Sequence, residues 1–480
     1  MTTALIGGDD TTAPAPRPRL VALVVAVAFF MQMLDGTIIT TSLPQMASSF
    51  GIEPVAMSIG LTVYMLSMAV FIPLSGWLED RFGARNVFVA AIAIFTMASL
   101  LCGFSQSLWQ FVGARAIQGI GSALMTPVGR IIVLRNAGKA DLVSAIALIT
   151  WPALFAPVIG PVLGGLITTW FGWHWNFLIN VPLGALGILL VVRFVPQNRE
   201  SSVPRFDLKG FLLSAGGLAL VLSSLESFSH GVREFHVALA MLVAGVLLST
   251  AATLYFLRIE HPLLNLSVFK VHTFAIATAT SGTAGRVSIN AAPFLLPLLL
   301  QVGFGYSAVT TGTYILVYFA GNLGMKAVTT PLLRLFGFRT ILIFNGMIAA
   351  LSLAACSFLT ATTPEIVAFA LLLIAGLSRS MQFTALNTLT FADIDAAQRS
   401  SASTLSSMLQ QISMLLGVAI SAIILNLSTM AHGRDVTSLI DFRIAFCAVG
   451  LIGVLSALRF LELPWNAGAD VSGHTSKARA

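Results

Sequence analysis

Fourteen stretches of about twenty apolar residues alternate with short polar segments, at roughly 19–43, 57–78, 86–105, 108–134, 142–171, 176–195, 209–228, 236–257, 273–297, 309–332, 338–360, 365–390, 400–428 and 442–462. As helices rising about 1.5 Å per residue, such stretches cross a hydrocarbon core of about 30 Å. The expected fold is an all-α polytopic membrane protein with fourteen transmembrane helices. Residues 1–18, with Pro14, Pro16 and Pro18, read as a disordered tail. The run from Arg19 to about Leu43 has no A-x-A cleavage site and is expected to be a retained first span rather than a signal peptide.

The polar segments differ in charge, and the difference orients the chain. Alternate loops carry Arg81 and Arg85; Arg135 and Lys139; Arg193, Arg199, Arg205 and Lys209; Arg258 and Lys270; Arg334 and Arg339; and Arg399. The loops between them hold only Arg233, Arg434 and Arg443. Lys and Arg are retained on the cytoplasmic side, so both termini are expected there. Composition agrees with the hydropathy pattern: 57% hydrophobic and 9% charged residues exclude a soluble globule, in which about 25% are charged. The formal charge of +7 is spread singly over short loops, which speaks against nucleic-acid binding. Cys102, Cys356 and Cys447 lie inside apolar runs without metal-ligand spacing, so neither disulfides nor a metal site is expected. No Walker loop, HExxH or GxSxG occurs, so the chain is not expected to be an enzyme and ATP is not its evident energy source.

The fifth run is rich in helix breakers. Residues 153–165 read ALFAPVIGPVLGG, where interior Gly and Pro would cost about 1 and 3 kcal/mol in a water-exposed helix. In a bilayer the backbone has no water to bond and stays helical, neighbouring helices satisfying the groups that Pro157 and Pro161 free. Gly160, Gly164 and Gly165 then form a face without side chains that another helix can approach closely. An internal repeat accompanies this. Residues 76–85 read GWLEDRFGAR, and Leu332, Phe336, Gly337 and Arg339 stand at matching places after the tenth run. Arg115-x-x-Gln118 in the fourth run is echoed by Arg379-x-x-Gln382 in the twelfth. Both matches follow if runs one to six and nine to fourteen are related halves, a transporter architecture. The expected division is a cytoplasmic tail at 1–18, a six-helix bundle at 19–195, two inserted helices with linkers at 196–272, a second six-helix bundle at 273–463, and a cytoplasmic tail at 464–480.

These motifs resemble those of a known family. Gly76, Leu78, Asp80, Arg81, Gly83 and Arg85 are similar to the loop motif GxLaDrxGrkxx of the major facilitator superfamily, and Arg115, Gln118, Gly119 and Gly121 to its fourth-helix motif RxxQGxG. Gly160, Pro161, Gly164 and Gly165 resemble its antiporter motif GxxxGPxxGG, with Ala156 at the first glycine. Leu34, Asp35, Thr37, Ile38, Ile39, Leu43 and Pro44 resemble LDxTIVNxALP of the fourteen-helix drug:proton antiporters, with Thr40 in place of the usual Asn. Trp173, Trp175, Phe177, Leu178, Asn180, Pro182 and Gly184 resemble that group's WRWIFLINVPxG, and within the group the likeness is greatest to the MdtD/HsrA branch. The resemblance implies the major facilitator fold in a bacterial inner membrane. It also implies export of small organic molecules or drugs by alternating access, driven by the proton gradient without a cofactor.

Charged residues inside the runs supply candidate chemistry. Asp35, Arg115, Arg286, Lys326 and Arg379 would each cost about 2.5–3.5 kcal/mol facing lipid at mid-depth, so they are expected to face the bundle interior or a watery cavity. Lys326, about six residues from the cytoplasmic end of its run, could instead snorkel to water. Asp35 and Arg115 both fall about 10–12 Å below the outer surface, so they could meet. A carboxyl whose proton affinity depends on how close an Arg sits suits proton coupling, the role expected of this pair; a purely structural ion pair is the alternative. Gln32, Gln118, Arg286, Arg379 and Gln382 are the expected lining of a substrate cavity. That cavity is expected to be positive and to favour an anionic or zwitterionic ligand, unless its arginines are satisfied by backbone carbonyls or by Gln382, Asn290 and Asn387. Gly76, Asp80, Arg81, Gly83 and Arg85 are expected to form a gating loop, and Pro157, Gly160, Pro161, Gly164 and Gly165 the antiporter helix. The expected partners are a small-molecule substrate, protons and the lipid bilayer, with a monomer as the default state. Proton-coupled uptake or metabolite (organic anion) transport on the same fold is the alternative function, and a non-transporting sensor is a third.

Overall fold

The computed structural model describes residues 18–39, 42–52, 57–137, 142–197, 205–229, 235–434 and 437–474, and within these leaves out some side chains, those of Pro44, Pro157, Pro161 and Glu226 among them. Thr40 and residues 1–17 lie outside the described residues. The membrane helices are α1 (Pro18–Ile38), α2 (Ser58–Phe71 continued by Leu74–Phe82), α3 (Ala84–Gly103), α4 (Leu108–Asn136), α5 (Leu142–Trp170), α6 (Asn180–Phe194), α7 (Leu208–Ser229) and α8 (Phe235–Phe256). They continue with α9 (His272–Thr278 and Ser281–Leu298), α10 and α11 (together Ala308–Ala355), α12 (Glu365–Ala392), α13 (Arg399–Ala431) and α14 (Leu439–Arg459). No strand occurs among the described residues.

Eleven of these helices are long and apolar enough to span a membrane among the described residues, twelve if α2, bent by 58° beside Pro73, counts as one span. Helix α5, 29 residues with some side chains outside the description, is another. The last comes from Ala308–Ala355, whose 48 residues would reach about 72 Å if straight. At Gly337 the backbone leaves the helix, with φ 70° and ψ 166°. Gly376 abuts Tyr318 before that break, while Gln382, less than two turns further along α12, abuts Gly346 after it. The chain therefore folds back, and α10 and α11 run antiparallel to each other, both packed on α12. Gly83 joins α2 to α3 in nearly the same conformation, φ 83° and ψ 144°. A side chain at either position would clash with the backbone. The two repeat glycines thus make the same turn.

The two ends of the bundle pack differently. The end carrying Arg81, Arg135, Arg334 and Arg399, called here the basic end, holds a core shared by both halves of the bundle. Leu134, Leu142 and Ile146 pack there with Leu333, Phe338, Leu389, Phe391 and Leu405. At the opposite end each half keeps its own core, Ile39, Met46, Trp173 and Phe177 in one and Leu295, Tyr314, Leu353 and Phe442 in the other. Hydrogen bonds between the halves cluster at the basic end: Ser403 Oγ to the Pro127 carbonyl at 2.7 Å, Arg399 Nη1 to the Leu134 carbonyl at 2.8 Å, and Arg130 Nη2 to Gln410 Oε1 at 2.5 Å. Helix α7 fills the lateral crevice between the halves, its Leu218 and Leu222 packing with Ala69 of α2 and Ala419 of α13.

Candidate functional site

Asp35 on α1 and Arg115 on α4 meet, as their depths suggested. Arg115 Nη1 donates to Asp35 Oδ2 at 2.6 Å, and neither side chain is exposed. Gln118, one turn after Arg115 and therefore on the same face of α4, donates from Nε2 to Asp35 Oδ1 at 2.9 Å and accepts from Arg115 at 2.5 Å. Asn180, the first residue of α6, donates to the same Oδ1 at 2.9 Å, and Ser99 of α3 accepts from both amides. The Tyr64 ring lies 4.2 Å from the guanidinium carbon. One carboxylate thus ties together α1, α4 and α6 through three donors, each charge-assisted. Asn180 and Ser99 were not singled out as site residues by sequence reasoning. Asn180 was visible only as part of the sixth-helix motif.

The glycine face of α5 packs against another face of α1, the helix that carries Asp35. A Cβ on Gly160 would stand 2.1 Å from Thr37 Oγ1, two residues after Asp35. Thr37 in turn donates to the Ala156 carbonyl at 3.3 Å. Gly164 is buried, whereas a Cβ on Gly165 would meet nothing within 4 Å. Of Gly160 and Gly165, only Gly160 makes a close approach. The ring orientations of Pro157 and Pro161 lie outside the described residues.

At the basic end the gating loop differs from expectation in one residue. Glu79, passed over by the sequence reading, is fully buried and pairs with Arg135 of α4 at 2.7 Å. Asp80 is half-buried and Arg81 exposed, because on a helix successive residues point about 100° apart and Glu79 is the one turned fully into the packing against α4. Arg85 is half-buried at the start of α3. Gly76 fits against α13, where a Cβ would lie 3.0 Å from Thr404 Oγ1, and Ser75 Oγ reaches that hydroxyl at 3.2 Å. This loop therefore belongs to the seam between the halves.

The central cavity requires larger corrections. A cavity of about 50 Å³ lies between the halves, walled by Phe29, Met33, Thr126, Arg130, Ile149 and Thr150 on one side and Phe383, Asn387, Phe391 and Gln410 on the other. None of the five expected lining residues is in that wall. Gln32 turns inward to Thr126 and the Ser122 carbonyl, and Gln118 belongs to the Asp35 cluster. Gln382 binds Asn345 and the Leu342 carbonyl, between α12 and α11. Arg286, 1% exposed, stands one row behind the wall. It donates to the Ala277 carbonyl at 2.7 Å, left free by the break in α9, and to Asn387 Oδ1 at 3.3 Å. Half-buried Arg379 donates to the Ile289 carbonyl at 3.3 Å. Lys326 does not snorkel: it reaches Thr150 of α5 at 3.4 Å and Thr384 of α12. Arg130, which sequence reasoning did not single out, is in the cavity wall and 7% exposed. Among the described residues no three His, Cys, Asp or Glu side chains converge as metal ligands.

Two helical halves sealed at one end over a central cavity, with an ion-paired carboxylate between helices of one half, define a membrane transporter of the alternating-access type. The chain belongs to the Major Facilitator Superfamily, whose family model matches residues 25–418. It is thus an integral membrane protein and a secondary transporter. It is 37% identical over 458 residues to MdtD of Escherichia coli O6:H1 (strain CFT073), provisionally named a multidrug resistance protein, covering 94% of this chain and 95% of that one. The MdtD of Shigella boydii serotype 4 (strain Sb227) is likewise 37% identical over 455 residues, with the same coverage. Among solved structures the chain is similar to the human organic anion transporter MFSD10 (TM-score 0.68, 14% identity, 93% of this chain and 100% of that one). It is also similar to the proton:xylose symporter XylE (TM-score 0.63, 15% identity, 94% and 96%). At such identities these two likenesses concern the fold alone.

Proposed function

We propose that the protein is a proton-coupled antiporter exporting small organic molecules or drugs across a bacterial cytoplasmic membrane. The Asp35 cluster carries this reading: a buried carboxylate whose partners come from separate helices is suited to take and release a proton as those helices shift. The kinship with MdtD supports drug-like cargo, and Gly160, packed against Thr37 on the helix that carries Asp35, supports a coupling role for α5. The loop charges support a cytoplasmic basic end with both termini inside, which makes the described state closed to the cytoplasm.

In this cycle a proton from outside reaches Asp35 when Arg115 withdraws. Neutral Asp35 no longer holds Arg115, so α4 can move relative to α1. The halves then rock apart at the basic end, breaking the Arg130, Ser403 and Arg399 contacts and the Gly76–Thr404 seam. Asp35 releases its proton inward while cargo enters. Gly76, Asp80, Arg81, Gly83 and Arg85 act with Glu79 as the gate. The gradient supplies the energy, no cofactor or chemical conversion is involved, and one chain suffices.

The test uses inverted vesicles with an acid interior, followed by a pH dye. Adding a panel of lipophilic cations, zwitterions and organic anions is expected to release protons through the wild-type protein and not through Asp35→Asn. Undiminished proton release by that variant would overturn the assignment.

A further inference from the structure

The cavity between the halves has a wall chemistry that selects for charge. Arg130 and Asn387 stand in opposite walls of the cavity, and the buried Nδ2 donor of Asn387 has no hydrogen-bond partner among the described residues. Lys326 stands behind Thr150, and Arg286 stands behind Asn387. No carboxylate occurs among the described lining residues. Asp35 cannot balance these cations: it is paired with Arg115, fifteen residues and about 22 Å from Arg130 along α4. Glu79 and Asp393, at the ends of neighbouring helices, face Arg135 and Thr273 instead. In a cavity of low dielectric such an excess of positive charge attracts anions and repels cations. A volume of about 50 Å³ holds about three waters, or one carboxylate group in their place.

From this geometry we propose that the cavity binds organic anions through a carboxylate-type group held by Arg130 and Asn387, and that Gln410 competes with the cargo for Arg130. The inference rests on the exporter reading above and names its cargo. In the closed state Arg130 donates to Gln410 at 2.5 Å and to Ser406 and Ser407 at 3.4 Å, all on the other half. When the halves part at the basic end these acceptors leave, and the planar guanidinium is free to grip a carboxylate bidentately. Closure returns Gln410 to Arg130 and displaces the anion toward the outer side. One arginine therefore serves in turn as cargo hook and as latch between the halves.

Binding can be measured on the purified full-length protein by fluorescence polarisation, with carboxyfluorescein as the anionic probe and ethidium as the cationic one. Saturable binding of carboxyfluorescein, displaced by benzoate and at least about tenfold tighter than that of ethidium, is expected. Arg130→Gln should weaken it about tenfold or more, the loss of one charge-assisted contact, and Arg130→Lys should weaken it less. Gln410→Ala should tighten it about threefold, a gain that misfolding cannot imitate. Preferential binding of ethidium, binding of neither dye, or carboxyfluorescein affinity unchanged in both Arg130→Gln and Gln410→Ala would each overturn the inference. The exporter reading fails separately: anion binding of the expected pattern without proton-coupled movement in vesicles would sink that reading and leave the anion site standing.

Discussion

Replacing Arg115 with Gln tests whether the Asp35 cluster is energetically a pair. At about 4 Å between charge centres and an effective dielectric constant of about 20, two unit charges attract by about 4 kcal/mol. Both side chains are fully buried and 2.6 Å apart. Removing one partner of such a pair typically costs about 3–5 kcal/mol, because the remaining charge is left buried and uncompensated. Arg115→Gln leaves Asp35 with Gln118 and Asn180 as donors, while Asp35→Asn leaves Arg115 beside Gln118 and the Tyr64 ring. In the double variant two neutral amides face one another and no buried charge is stranded. Its loss of stability should therefore fall short of the sum of the single losses by about 2 kcal/mol or more. Cys102 and Cys356 are buried and Cys447 is exposed, so thermal unfolding in detergent can be followed with a thiol-reactive dye on a Cys447→Ser background. Each single variant should lower the midpoint by on the order of 5 °C. The double should lie at or above the less stable single, yet remain without proton coupling. Strict additivity of the two losses would refute the paired reading.

Two further outcomes follow from the packing. Gly76→Cys with Thr404→Cys should form a disulfide, since a Cβ at Gly76 lies 3.9 Å from that of Thr404, within the usual range; transport should stop on oxidation and return on reduction, and failure to cross-link would argue against this seam. Gly160→Ala forces α1 and α5 apart and should impair transport by inserted protein, whereas Gly165→Ala, with open space around it, should stay close to wild type in the same vesicle assay.

Much of the architecture follows from the sequence alone. Lipid requires each spanning segment to satisfy its own backbone, so runs of about twenty apolar residues become helices whatever surrounds them. Depth along a helix is also arithmetic, which is why Asp35 and Arg115 could be matched before their contact was seen. Azimuth is different. A membrane helix is apolar on its lipid face and its packed face alike, so hydropathy alone does not say where a polar side chain points. Gln32, Gln118 and Gln382 have the right depth for a cavity wall, yet each turns into its own half and completes a local hydrogen-bond set. Glu79 and Asp80 are adjacent in sequence, and only the position of Arg135 shows why Glu79 is the fully buried one. Arg130 looks like one more basic-end cation until α13 brings Gln410, 280 residues later in the chain, to it. The sequence by itself determined the spans, the repeat and the matching depths of Asp35 and Arg115, because lipid imposes these on each segment separately. The tertiary structure decided which faces line the cavity and which charges lack a partner, because both depend on how two halves distant in the chain come together.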